Sequence, residues 1–208
     1  MTTKNWDLVE KARQSISGKW GLAIGAFLVV TIIEAAIHSW SRGYSGSGSF
    51  FSGVLYLIIA GPFLFGTSVF SLAYARHQEP KFEQIFEGFR HFKNTLVTFL
   101  LMFLIVFLYT LLLIVPGIIA ALSYSMTFYI LADNPDMKPA DALDKSKRMM
   151  KGYKWKYFGL QMIFLLGVIA CLLTLGIGFL WFIPWVHVTE AHFYEDIKDN
   201  PAVEVVSV

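Results

Sequence analysis

TLVTFLLMFLIVFLYTLLLIVPGIIAALSYSMTFYILAD, residues 95–133, carries no charged side chain before its last residue, Asp133. As one α-helix it would be about 58 Å long at 1.5 Å per residue, nearly twice the hydrocarbon core of a bilayer. Tilt absorbs a modest mismatch, not a doubling. The stretch therefore folds back on itself, and Pro116-Gly117 is the strongest turn signal inside it. Two helices are expected, 95–115 and 118–133, joined by a tight turn.

Residues 157–194 repeat the pattern, with Gly176-Ile177-Gly178 as the break between 157–175 and 179–194, the latter bent near Pro184. Nearer the start lie two more apolar runs. Residues 20–40 have Trp20 and Trp40 at their ends, where an aromatic belt would sit. Residues 51–75 are interrupted by Gly61-Pro62, a kink that a membrane helix tolerates. Between them SRGYSGSGS reads as a short loop. The count is six spans. Four longer spans are the rival reading, and charge decides against it.

Of the 17 lysines and arginines, 16 fall on one side of a six-span chain. Lys4, Lys11, Arg13 and Lys19 precede the first span; Arg76, Lys81, Arg90 and Lys93 follow the second. Seven more, from Lys138 to Lys156, follow the fourth, and Lys198 lies in the tail; only Arg42 is opposite. The positive-inside rule places the crowded side, and both termini, in the cytoplasm of a cell whose inner membrane holds the protein. Four spans cannot sort the charges so cleanly. The whole chain, 1–208, reads as a single all-α integral membrane domain. Charged residues are 15% and apolar residues 56% of the chain, and mean hydropathy is +0.57, which leaves no room for a soluble domain. A formal charge of +2 gives no sign of nucleic-acid binding. Residues 1–19 lack the apolar core of a cleavable signal, no lipidation signal is expected, and Cys171 alone excludes an internal disulfide.

The spans group into three units, each a cytoplasmic amphipathic segment followed by a helical hairpin. In the second unit Phe82, Ile85, Phe86 and Phe89 recur at α-helical spacing, the pattern of an interfacial helix. Ala142, Leu143, Ser146, Met149, Met150 and Tyr153 give the same period in the third, and Leu8, Ala12 and Ile16 a weaker one in the first. A glycine with aromatic and basic neighbours marks each membrane entry: Gly18-Lys19-Trp20, Gly88-Phe89-Arg90 and Gly152-Tyr153-Lys154-Trp155. Gly21-x-x-x-Gly25 and Ala121-x-x-x-Ser125 read as small faces suited to close helix packing.

Ionisable groups inside a bilayer cost roughly 2.5–3.5 kcal/mol each even on the lenient insertion scale, so each is a candidate for function. Glu34 and His38 form an i, i+4 pair on the first span, and His187 and Glu190 an i, i+3 pair on the last, with His192 and Glu195 beyond. Such pairs suit a divalent metal or a proton relay; ordinary polarity within the bundle, or placement at different depths, explains them as well. Lys145, Lys147, Arg148, Lys151, Lys154 and Lys156 form a segment suited to anionic lipid headgroups, and to topology determination equally. No nucleotide-binding, zinc-protease, nucleophile-elbow or C-x-x-C motif is present, so no catalytic residue, metal or cofactor is assigned.

From Ala142-Leu143 to Met149-Met150-Lys151-Gly152 and Tyr157-Phe158-x-Leu160 the chain resembles domain-of-unknown-function family 975, a group of bacterial integral membrane proteins. Pro116-Gly117-Ile118-Ile119 with Tyr124, the run Tyr129-Ile130-Leu131-Ala132, Gly176-Ile177-Gly178, Pro184 and the ending Thr189-x-Ala191-x-Phe193-Tyr194-Glu195-Asp196 fit as well. Trp185 stands where that family usually has tyrosine. The resemblance implies a multi-pass membrane protein and transfers no catalytic residues. The expected function is therefore non-enzymatic, through lipid or protein partners at the cytoplasmic interface. A small transporter or channel with a polar site around Glu34 and the last helix is the alternative, and an intramembrane metal-dependent enzyme a third.

Overall fold

The computed structural model describes residues 3–43 and 47–199, without the side chains of residues 38, 40 to 43 and 47 to 51. Every regular element among the described residues is helical. The order is α1 (Asn5–Ile16), α2 (Trp20–Gly43), α3 (Ser47–Ala75), a 3-10 helix (Phe82–Phe89), α4 (Phe92–Leu112), α5 (Ile114–Tyr124), α6 (Thr127–Asp133), α7 (Pro139–Met149), α8 (Lys154–Leu173) and α9 (Phe179–Lys198). A short helix followed by a pair of long helices thus occurs three times in the chain, the second member of the middle pair being split into α5 and α6.

Five segments are long and apolar enough to cross a membrane: Trp20–Ile37, Ser52–Ala75, Phe92–Leu112, Ile114–Asp133 and Lys154–Leu173. The sixth expected span falls in α9, which has the length, but its second half carries Glu190, Glu195, Asp196 and Lys198. Burial separates the helices into two shells. Half of Ser52–Ala75 (50%) and of Ile114–Asp133 (56%) is buried, against 22%, 17% and 22% for the apolar windows of α2, α4 and α8. With the buried residues of α9, from Val188 to Ile197, the second helix of every pair forms the core. The first helix of each pair leaves an aliphatic outer face, such as Leu104, Leu108, Leu166 and Ile169, that water would penalise and lipid would not.

The short helices close this arrangement into a ring. α1 lies on α9, where the Trp185 indole Nε1 donates to the Val9 carbonyl at 3.1 Å. The 3-10 helix lies on α3, and α7 on α4, α5 and α6, where the Ser146 hydroxyl donates to the Ser123 carbonyl at 2.9 Å. Each short helix thus docks on the second long helix of the preceding unit, and the first docks on the last. Its buried side, Leu8, Val9, Ala12 and Ile16 in α1 or Ala142, Leu143 and Ser146 in α7, is the amphipathic face read from the sequence.

Three local expectations change. Residues 82–89 wind as a 3-10 helix, so with three residues per turn Ile85 and Gly88 align toward α3. Ile85 and Gly88 are its buried residues, while Phe82, Phe86 and Phe89 stay about 38% exposed. The cause is proximity: a Cβ at Gly66 would collide with the Ile85 backbone, and one at Gly88 with that of Pro62. Gly21 and Gly25, by contrast, face open space, and Ala121 is exposed, so close packing is not where the small-residue spacing put it. Finally, the chain turns at Leu113, which is extended, and not at Pro116. Pro116 sits in the first turn of α5, where its missing N–H has no partner to lose, and Gly117 lets that turn press on Thr110.

The three core helices converge at their C-terminal ends on one guanidinium. Arg76, just past α3, pairs with Asp133 of α6 at 2.6 Å and with Glu195 of α9 at 2.8 Å. The Tyr194 hydroxyl donates to the other Asp133 oxygen at 2.8 Å, and Lys198 pairs with Glu195 at 2.7 Å. These side chains are only 21–27% exposed, so the pairs are weakly screened. Replacing Arg76 by Ala leaves two carboxylates facing each other. It should destabilise the protein by roughly 2–3 kcal/mol, somewhat less than a fully buried pair would cost. Thermal unfolding in detergent micelles measures this, and an unchanged midpoint would refute the role given to Arg76.

Candidate functional site

α9 presents His187 and Glu190 on one face, three residues apart, with Nδ1 3.9 Å from Oε2. Neighbouring helices complete the group. Tyr157 and Gln161, one turn apart on α8, both donate to Glu190 Oε1, at 2.8 and 3.0 Å. The Tyr129 hydroxyl of α6 donates to the His187 carbonyl at 3.2 Å, and the His187 ring stacks on Phe27 of α2 at 4.8 Å. Four helices thus hold two ionisable groups in a fixed arrangement.

Beside it lies a cavity of about 300 Å³, walled by Thr67 and Ser68 of α3, Phe99, Met102 and Phe103 of α4, and Tyr124, Tyr129, His187 and Glu190. Ser125, which also lines it, marks the interruption between α5 and α6. The helix break beside the polar site is therefore at Ser125-Met126, while α9 runs on through Pro184. Among the described residues no three His, Cys, Asp or Glu side chains converge to hold a metal ion.

The other candidate pair is elsewhere. Phe27 marks the level of His187 on α2, and Glu34 lies seven residues further on, roughly 10 Å along the helix axis. Glu34 is half-buried and within electrostatic reach of Tyr56 on α3, and the His38 side chain lies outside the described residues. His192 meets Ser15 at 2.9 Å, and Glu195 belongs to the Arg76 junction. The sequence pairs thus form separate sites, because helical phase aligns neighbours on one helix and says nothing of depth between helices.

The basic segment divides as well. Lys147, Arg148 and Lys151 are exposed, Lys145 and Lys154 are half-buried, and Arg148 pairs with Asp144 at 2.7 Å. Lys156 turns inward to Asp196 at 2.6 Å and lies over the Phe193 ring. Thr3 donates to Asp196 from both its amide and its hydroxyl, and Asn5 donates to the Lys156 carbonyl, so this ion pair fastens the chain's start to its last helix. Next to it, Lys151, Lys154 and Trp155 rim an apolar groove of about 430 Å³ between α5 and α8, walled by Val115, Ile118, Ile119, Leu122 and Phe158. Val115 and Ile118 stand near the α4–α5 turn, yet they meet the start of α8.

Tyr129, Tyr157, Gln161 and the Arg76 junction escaped the sequence reading because their partners lie far along the chain. One signal was available: Arg76, Asp133 and Glu195 close the last turns of the second helix in three repeated units.

The fold and site together define an all-helical protein whose apolar helices suit a membrane and whose polar groups gather in its core. A family model described as a protein of unknown function, DUF975, matches residues 1–119 and 103–201. The chain belongs to this family. No curated protein and no solved structure shows a significant match to it.

Burial works to raise the Asp196 carboxyl, but the hydrogen bonds from Lys156 and Thr3 outweigh it and hold the group below the usual carboxylate range. A depressed folded-state value contributes stability that is complete above the unfolded value, near pH 4, and is lost as pH falls through the folded one. Asp196→Asn should lower the unfolding midpoint at pH 7 and flatten its decline below about pH 4. Midpoints measured across pH 2–7 test this; parallel curves for the two proteins would count against it.

Proposed function

We propose that this chain is a non-enzymatic, multi-pass protein of the bacterial inner membrane that acts by binding anionic lipid at its basic, cytoplasmic face, with other membrane proteins as further partners. Six spans, both termini in the cytoplasm and α9 as the sixth crossing complete the reading. The asymmetry of 16 cations to one supports the orientation. α9 supplies the last crossing: within it Glu190 accepts from Tyr157 and Gln161 instead of facing lipid, and beyond Tyr194 the carboxylates of Glu195 and Asp196 pair with Arg76, Lys198 and Lys156.

The observation that carries the lipid reading is the groove between α5 and α8. Its walls are aliphatic and aromatic, matching an acyl chain, and two ammonium groups with an amphipathic indole stand at its rim, matching a headgroup. A cation near an anionic surface contributes about 1 kcal/mol, so replacing Lys151 and Lys154 by Gln should weaken phosphatidylglycerol binding roughly tenfold to thirtyfold. Native mass spectrometry of the purified protein with added lipid measures the change; equal retention of phosphatidylglycerol by both proteins would overturn the reading.

A small transporter remains the second reading, favoured by one observation, the cavity at His187 and Glu190. The topology has its own check. A cysteine at Ser45 should react with an impermeant maleimide from outside the cell, and one at the exposed Lys147 only after permeabilisation. Labelling of both in intact cells would refute the six-span arrangement.

A further inference from the structure

We propose that the cavity at Glu190 is a binding site for a lipophilic organic cation, an ammonium or phosphonium ion with a small apolar body. The site is separate from the lipid groove between α5 and α8, and the inference requires no transport.

The carboxylate is the first reason. Glu190 is 16% exposed, and its Oε1 already accepts from Tyr157 and Gln161. Its Oε2 faces His187 at 3.9 Å, too long for a hydrogen bond, and the Tyr129 hydroxyl is a further hydrogen-bonding neighbour of the carboxylate. Among the described residues no lysine or arginine pairs with Glu190, whereas Asp133, Asp196 and Glu195 each have one. A carboxylate so far from bulk water is poorly solvated without a positive partner.

The walls narrow the class. Phe99, Phe103, Tyr124 and Phe128 line the same cavity, and aromatic faces attract cations while accommodating apolar groups. A hydrated metal ion is a poorer match, since His187 and Glu190 are the wall's only two imidazole or carboxylate groups and most of the rest is apolar. At about 300 Å³ the cavity is at the small end of ligand sites, too small for a two-chain phospholipid. Access narrows it further. Phe103 is 47% exposed on the outer side of α4, so a ligand reaching the cavity past it comes from the lipid side and must dissolve there.

Benzyltrimethylammonium is a suitable probe, measured by equilibrium dialysis against the detergent-purified protein with empty micelles as blank. Saturable binding at one site is expected. Glu190→Gln should weaken it about thirtyfold or more, the loss expected when one side of a buried charge pair is removed. Met102→Trp, which fills the cavity from the opposite wall and leaves the carboxylate in place, should abolish it; this second variant decides the matter if Glu190→Gln fails to fold. Benzyl alcohol, neutral and of similar size, should not compete at equal concentration. No saturable binding, an unchanged affinity in either folded variant, or equal competition by benzyl alcohol would overturn the proposal.

Discussion

One guanidinium ties together the ends of three helices that are far apart in the chain. Arg76, Asp133 and Glu195 belong to successive units, and their pairing fixes where the core helices meet. Hydrophobic burial cannot do this alone, because apolar side chains gain nearly as much from lipid as from each other. A directional, charge-assisted contact is needed to choose one register among many, and a fork-shaped group that serves two carboxylates at once suits a three-way junction. The Glu190 site depends on that choice, since Tyr129 approaches it only when α6 keeps its position beside α9.

Hydrophobic length was the most legible part of the sequence. The runs 20–40, 51–75 and 157–175 correspond to α2, α3 and α8 within a few residues at each end, because apolar composition sets where a helix can persist in a membrane. The amphipathic faces of α1 and α7 were legible for the same reason. Illegible was whatever depends on the surface opposite. Gly66 and Gly88 matter because Ile85 and Pro62 stand against them, and Gly21 and Gly25 have the right spacing with nothing facing it. The turn at Leu113 belongs with these, since Pro116 can begin a helix as readily as it can end one.

The candidate site shows the same division. That His187 and Glu190 share a face follows from helical phase. That Glu34 lies on another level, and that Tyr129, Tyr157 and Gln161 complete the group, depends on helices 29 to 58 residues away. The basic segment is a further case. Composition gives Lys156 the same standing as Lys151, yet Asp196 draws one into the protein and leaves the other at the rim of a groove.

The closed ring of units bears on how the chain is made. Synthesis delivers α1 well before α9, which together with α3 covers Ala12 and Ile16. Until then a short helix with an uncovered apolar edge has to wait at the insertion site, held by the membrane surface or by a chaperone. The later units find the preceding one already in place. Assembly is therefore directional, and the docking of α9 on α1 closes the ring.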